Sequence, residues 1–123
     1  MIKWFKNKEF NCKCGCGKNN ISITLVSMLD ELREKIGIPI VINSGCRCKT
    51  HNKMVGGADD SAHVEGLAVD IRCLASQTRY KLLDKIFKIN FARVGIAKTF
   101  IHVDIDFTKS QEVVWLYQKE GIK

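Results

Sequence analysis

The 123-residue sequence predicts a small domain of the α+β class. Three patterns carry that reading. Apolar residues recur at helical spacing over residues 21–36 and again after Ser76, and the alternation of a half-buried strand runs through "LAVDIRC" and "FIHVDID". In "FARVGIAKTFIHVDID" two strand-like runs meet about Lys98 and Thr99, which is a hairpin. A chain of this length buries roughly two thirds of the surface that its unfolded form exposes, enough for one core without staples. One domain over 1–123 is expected.

In the first helix Leu25, Val26, Leu29, Leu32 and Ile36 form the apolar stripe, while Asp30, Glu31, Arg33, Glu34 and Lys35 fill the other side. Asn20 or Ser22 caps its start, Gly37 takes the left-handed position at its end, and Pro39 prevents continuation. "IPIVINS" then reads as a buried strand. The connection that follows, "SGCRCKTHNKMVGGADDSAH", shows neither a 3.6 nor a 2.0 period, and a structureless loop of that length is usually functional. A second helix begins near Ser76, with Tyr80, Leu83 and Phe87 at helical spacing. The tail "EVVWLYQKEG" reads as an edge strand carrying Trp115 and Tyr117.

Composition narrows the function classes. With 46% apolar and 27% charged residues and one proline, the chain is ordinary for a globular protein and has no disordered tract. Its apolar runs are far shorter than the ~18 residues a membrane span needs, and its start lacks the apolar block of a secretory signal. The expected site of synthesis is the cytoplasm. A net charge of +7 favours polyanionic partners or serves only as a solvated basic face. The ten Phe, Trp and Tyr residues stand mostly at core-like positions, so no basic and aromatic stripe for nucleic acid is present.

Six cysteines occur, in "CKCGC", in "CRC" and at Cys73. Without a secretory signal they are expected to be reduced thiols, and their single-residue spacing departs from the two to four residues usual in zinc fingers. They read as packing or pairing residues, with a second metal site as the alternative.

The chemistry concentrates in two strands of the same design. In "LAVDIRC", Leu67, Val69 and Ile71 face the core and Asp70 faces away; in "FIHVDID", Ile101, Val103 and Ile105 face the core while His102, Asp104 and Asp106 face away. If the two strands are neighbours, Asp70 and His102 converge, and His63 arrives from the loop just ahead. Each of the three, taken singly, is an ordinary surface or core residue. Together they are the ligand set of a tetrahedral zinc that keeps a fourth position for water, which it would activate while polarising a substrate carbonyl. Asp104, two residues from His102, is the candidate for proton transfer, with Glu65 as a rival. Arg47 is a candidate clamp for a substrate carboxylate. His51 has no comparable partner and reads as either a surface histidine or a substrate contact.

"SGCRCKTHNKMVGGADDSAHVEGLAVDI" followed by "FIHVDID" resembles the zinc D-Ala-D-Ala carboxypeptidase family, peptidase family M15, in the short form common among bacteriophage and bacterial wall-cutting proteins. That form has a Ser-Gly-x-Arg start, a His-Asn…Gly-Gly loop, a Ser-x-His-x-x-Gly-x-Ala-x-Asp core and a closing His-Val-Asp, all present here in order. The similarity extends from "WFKNKEFNCKCGCG" to "VVWLY". It implies a small, mainly antiparallel sheet with helices on one side and zinc at the other, the fold shared with the signalling domain of hedgehog proteins. By position it places the metal ligands on His63, Asp70 and His102 and the substrate-holding arginine on Arg47. Ser61 and His51 are further candidate substrate contacts. Many relatives carry an acidic residue three before the last ligand or a histidine two before it. Those positions are Thr99 and Phe100 here, which leaves Asp104 for the proton.

The function so implied is hydrolysis of a peptide bond in peptidoglycan stem or cross-link peptides, as in a lysin or a virion-borne wall-opening enzyme. The expected partners are those peptides and anionic wall polymers, with no nucleic acid and no membrane span, for a monomeric protein. A zinc-containing binding or structural module on the same fold is the alternative, because a fold does not fix a function.

Overall fold

The computed structural model describes residues 1–117. A 3-10 turn over Asn7–Phe10 precedes the first helix, α1, Ile23–Ile36; then come strand β1, Ile42–Ser44, helix α2, Lys49–Met54, strand β2, Ala68–Arg72, and helix α3, Ser76–Ile89. Strands β3, Arg93–Ile96, β4, Phe100–Asp104, and β5, Val113–Leu116, complete the order. The class is α+β, with a mixed five-stranded sheet in the order β1-β2-β4-β3-β5. All pairs are antiparallel except the edge pair β3 and β5, which is parallel.

The helix ends follow local chemistry. Ser22 Oγ accepts from the Leu25 amide at 3.3 Å, and Gly37 closes α1 at φ 73°. α3 starts at Ser76, but the cap position is Ala75 and no side chain bonds there. Its buried stripe is Leu82 and Ile86 with Leu83 and Ile89 packed beside them, whereas Tyr80 is 78% exposed and Phe87 is also exposed. The expected stripe of Tyr80, Leu83 and Phe87 is thus rotated from the real one, since both rows repeat at helical spacing and only packing chooses between them.

α1 and α3 lie on one face of the sheet. Leu25, Val26, Leu29 and Leu32 of α1, Leu82 and Ile86 of α3, and Val69, Ile71, Val94, Ile101 and Val103 of the strands share one core with Phe5 and Phe10. Burial of such side chains contributes roughly 1.5–3 kcal/mol each. The start of the chain is tied down over α1, where the amides of Lys3 and Trp4 donate to the Asp30 carboxylate.

Two expectations are corrected on this framework. Strand β1 covers only residues 42–44, and a register shift between Ile42 and Ser44 brings Ser44 opposite Asp70. The long connection is not structureless: α2 lies inside it, capped by the Cys48 side chain, which accepts from the His51 amide. A helix of six residues is too short to show a period, which is why the sequence hides it. The edge strand carrying Trp115 is present as β5; the part of the expected tail strand from residue 118 onward lies outside the described residues. Among the described residues no helix is long and apolar enough to cross a membrane.

Candidate metal centre

The register of β2 on β4 sets Asp70 directly across from His102, with both side chains on the face turned away from the core. That face is covered by the loop that carries Arg47 and His63 and by Trp115, so Asp70 is fully buried and His63 and His102 are only 2% and 7% exposed.

His63 comes from a tight turn. Ser61 Oγ accepts from the His63 amide at 3.2 Å, the amides of Val64 and Glu65 close onto Ser61 and Ala62, and the Arg47 amide donates to the His63 carbonyl. His63 Nδ1 lies 2.8 Å from the Gly45 carbonyl, which can only accept, so the proton sits on Nδ1 and Nε2 keeps its lone pair. Nε2 faces Asp70 Oδ1 at 3.2 Å. His102 is fixed the other way round: Nε2 meets Asp104 Oδ2 at 2.7 Å, and Nδ1 faces Asp70 Oδ1 at 2.9 Å. Two imidazole lone pairs and a carboxylate oxygen thus converge, with the three ligand atoms within 4.8 Å of one another. Lone pairs aimed at an anionic oxygen repel unless a proton or a metal ion lies between them, and this donor set fits zinc.

The electrostatics follow from the same contacts. Burial by itself would raise the Asp70 pKa, but the two imidazoles hold it far below the ordinary carboxylate range. Burial pushes His63 down, against the pull of Asp70. Burial also opposes the charge on His102, yet hydrogen bonds to Asp104 and Asp70 carry its pKa above the usual value. The two histidines differ because His102 has two carboxylates and His63 one carboxylate and a neutral carbonyl.

Around these three lies a supporting layer. Arg47, 1% exposed, reaches Asp70 Oδ2 at 3.3 Å through Nη2, Ser44 Oγ at 3.0 Å through Nε, and Asn52 Oδ1 at 3.1 Å through Nη1. Asn52 comes from α2, so the short helix helps to hold the guanidinium. Asp104 has both oxygens engaged: Oδ2 on His102, Oδ1 on Arg93 Nε at 2.8 Å and on the Asp106 amide at 3.1 Å. This is the arrangement by which a carboxylate fixes the tautomer and orientation of a metal-binding histidine. Asp106 closes the turn after β4, accepting from the amide and the hydroxyl of Thr108.

A cavity of about 210 Å³ opens onto the centre, lined among others by Arg47, Ser61, His63, His102, Asp104 and Trp115. Tyr117, Arg93 and Lys109 also line it. Trp115 lies against His102, ring centroids 5.4 Å apart, because Gly95 sits between their strands: a Cβ on Gly95 would come within 2.6 Å of Trp115 Nε1. His51 is placed elsewhere, on a separate depression shared with Arg47 and Met54. Glu65 is exposed on its turn and outside the cavity lining, Thr99 is exposed on the hairpin, and Phe100 is buried against Tyr117.

Sequence reasoning brought His63, Asp70, His102, Arg47, Ser61 and Asp104 to this region and missed Arg93, Trp115, Tyr117 and Lys109 as its walls. The alternation in "VVWLY" puts Trp115 and Tyr117 on one side of a strand, but only the pairing of β5 with β3 says which side that is.

A family model described as Peptidase M15 matches residues 3–104. No curated protein matches the chain in sequence.

Proposed function

Because the chain belongs to the peptidase M15 family, we propose that it is a zinc peptidase that hydrolyses a peptide bond in peptidoglycan stem or cross-link peptides. The observation that carries this reading is the convergence of His63 Nε2, Asp70 Oδ1 and His102 Nδ1 beside a cavity that the two histidines line. Those three side chains would hold the ion. Zinc, when bound, supplies Lewis acidity toward a carbonyl and an activated water near neutral pH.

The chain's own residues supply the rest. Arg47 is proposed to serve twice, holding Asp70 by its ion pair and meeting a substrate carboxylate at the cavity wall, where a guanidinium suits a two-point contact. Ser61 positions His63 through its amide and borders the substrate space. Asp104 is proposed to act through His102, keeping the proton on Nε2 so that Nδ1 stays a ligand; as the proton-transfer group it must first release one of its present partners. Tyr117, whose pKa burial pushes up to about 12, stays a protonated donor at neutral pH.

Size and charge support a peptide of small residues. The cavity is smaller than the roughly 300–1,000 Å³ of sites for drug-sized ligands. Arg47, Arg93 and Lys109 line it, which favours an anionic peptide end. The overall charge of +7 would raise the local concentration of the protein on anionic wall polymers, as a lysin or a virion component requires.

Purified peptidoglycan is the test substrate, digested with and without a chelator and analysed by mass spectrometry for new peptide termini. Chelator-sensitive release that fails with His102→Ala supports the proposal, and the termini name the bond. Bound zinc with no released peptide would mean a binding or structural module instead.

A further inference from the structure

The six cysteines divide into two groups. Cys46 and Cys73 are buried and serve as small apolar residues. Cys12, Cys14, Cys16 and Cys48 instead turn their sulfur atoms to a common point, all four within 4.8 Å of one another, although Cys14 and Cys16 are exposed and gain nothing from packing. We propose that these four cysteines form a second, structural zinc site, separate from the histidine and aspartate centre.

The spacing of the sulfurs suits a tetrahedral ion. A Zn–S bond of about 2.3 Å implies a sulfur-to-sulfur edge of about 3.8 Å. Cys12 Sγ and Cys14 Sγ are 3.5 Å apart, and Cys14 Sγ and Cys48 Sγ are 3.7 Å apart. Backbone amides already point at the sulfurs as they would at thiolates: Cys48 to Cys12 Sγ at 3.4 Å, Lys18 to Cys16 Sγ at 3.5 Å, and His51 to Cys48 Sγ at 3.3 Å. Such donors offset negative charge on the ligands. Gly15, between two of the cysteines, takes φ 86°, a left-handed turn that lets "CKCGC" fold back on itself. Four thiolates around a divalent ion leave a net double negative charge, and Lys13, Lys18 and Lys49 flank the ligands in the chain.

The position explains why a metal is useful there. Cys12 and Cys48 stand 36 residues apart, and Cys48 is both the cap of α2 and the neighbour of Arg47. An ion on these sulfurs would pin the start of the chain to the loop that delivers Arg47. A four-thiolate site leaves no coordination position open to substrate, so its role is structural.

The test counts metals on the full chain, purified under reducing conditions and read by native mass spectrometry and elemental analysis. The wild type should carry about two zinc ions, His102→Ala about one, and the Cys14→Ser, Cys16→Ser double variant about one. Both replaced cysteines are exposed, so the fold should survive. After cobalt replacement, thiolate-to-metal charge-transfer absorption should persist in His102→Ala and vanish in the cysteine variant. On the wild type alone, stripping the metal should make these thiols react faster with an alkylating reagent.

Three results would overturn the proposal: metal content in the cysteine variant equal to wild type, thiol reactivity unchanged by stripping, or disulfides among these four cysteines that persist through purification under reducing conditions. Iron found in place of zinc on the four sulfurs would overturn the zinc assignment. Failure of the histidine centre alone would show as one ion lost from the wild type count, with the cobalt thiolate signal intact, so the two sites fail separately.

Discussion

His102 Nε2 lies 2.7 Å from Asp104 Oδ2, a contact between two residues of one strand that share a face because side chains alternate along β4. The contact decides which nitrogen of His102 is left for a metal. Asp104→Asn should therefore weaken zinc binding by about 10–100-fold, the usual cost of losing such a partner. Chelator competition measures that affinity. Peptide release at saturating zinc should recover much of the lost activity; a loss that excess zinc does not restore would assign the proton transfer to Asp104 itself.

Acid should release the metal. Burial opposes a charge on His102, but its bonds to Asp104 and Asp70 raise the pKa above the ordinary 6.5. A protonated imidazole has no lone pair, so protons compete with zinc from a higher pH than at an isolated histidine, and more strongly as the pH falls. Zinc affinity measured from about pH 8 to about pH 5 should drop with falling pH, and Asp104→Asn should move the onset to lower pH by removing one of the raising bonds.

Arg47→Met should destabilise the metal-stripped protein by about 3–5 kcal/mol, the range for breaking a buried ion pair by removing one partner. Ser44 and Asn52 also lose their contact with the guanidinium. Urea unfolding with zinc absent is the measurement, since bound metal would mask part of the change by stabilising the folded state.

Gly95→Ala should disturb the cavity wall while leaving the ligand set in place. The added methyl would stand 2.6 Å from Trp115 Nε1, so Trp115 must leave its contact with His102. A destabilisation of about 1–3 kcal/mol is expected for overpacking of this kind. In a Trp4→Phe background Trp115 is the remaining tryptophan, and its fluorescence should shift toward that of a solvent-exposed indole.

How much of this was legible before folding depends on the range of the interaction. Ser22 as a cap, Gly37 as a left-handed stop, and the hairpin at Lys98 and Thr99 are local matters that a few neighbouring residues settle. The alternation that turned Asp70 and His102 away from the core is local as well. The face chosen by α3 was not legible, because Tyr80, Leu83 and Phe87 repeat as regularly as Leu82 and Ile86 and only the neighbouring sheet and α1 select between them. The bulge at Ser44 was hidden for the same reason, since its pairing with β2 sets it, whereas α2 is simply too short to show a period.

By itself the sequence determined which residues could bind a metal, because ligand chemistry and strand periodicity are written in the order of side chains. Tertiary structure alone decided that Asp70 stands opposite His102, that Asp104 is engaged on both oxygens, and that four cysteines from two distant segments meet. The physical reason is that register and loop closure are set by the core as a whole. One residue of slip between β2 and β4 would turn the same side chains to opposite faces, and no short stretch of sequence carries that choice.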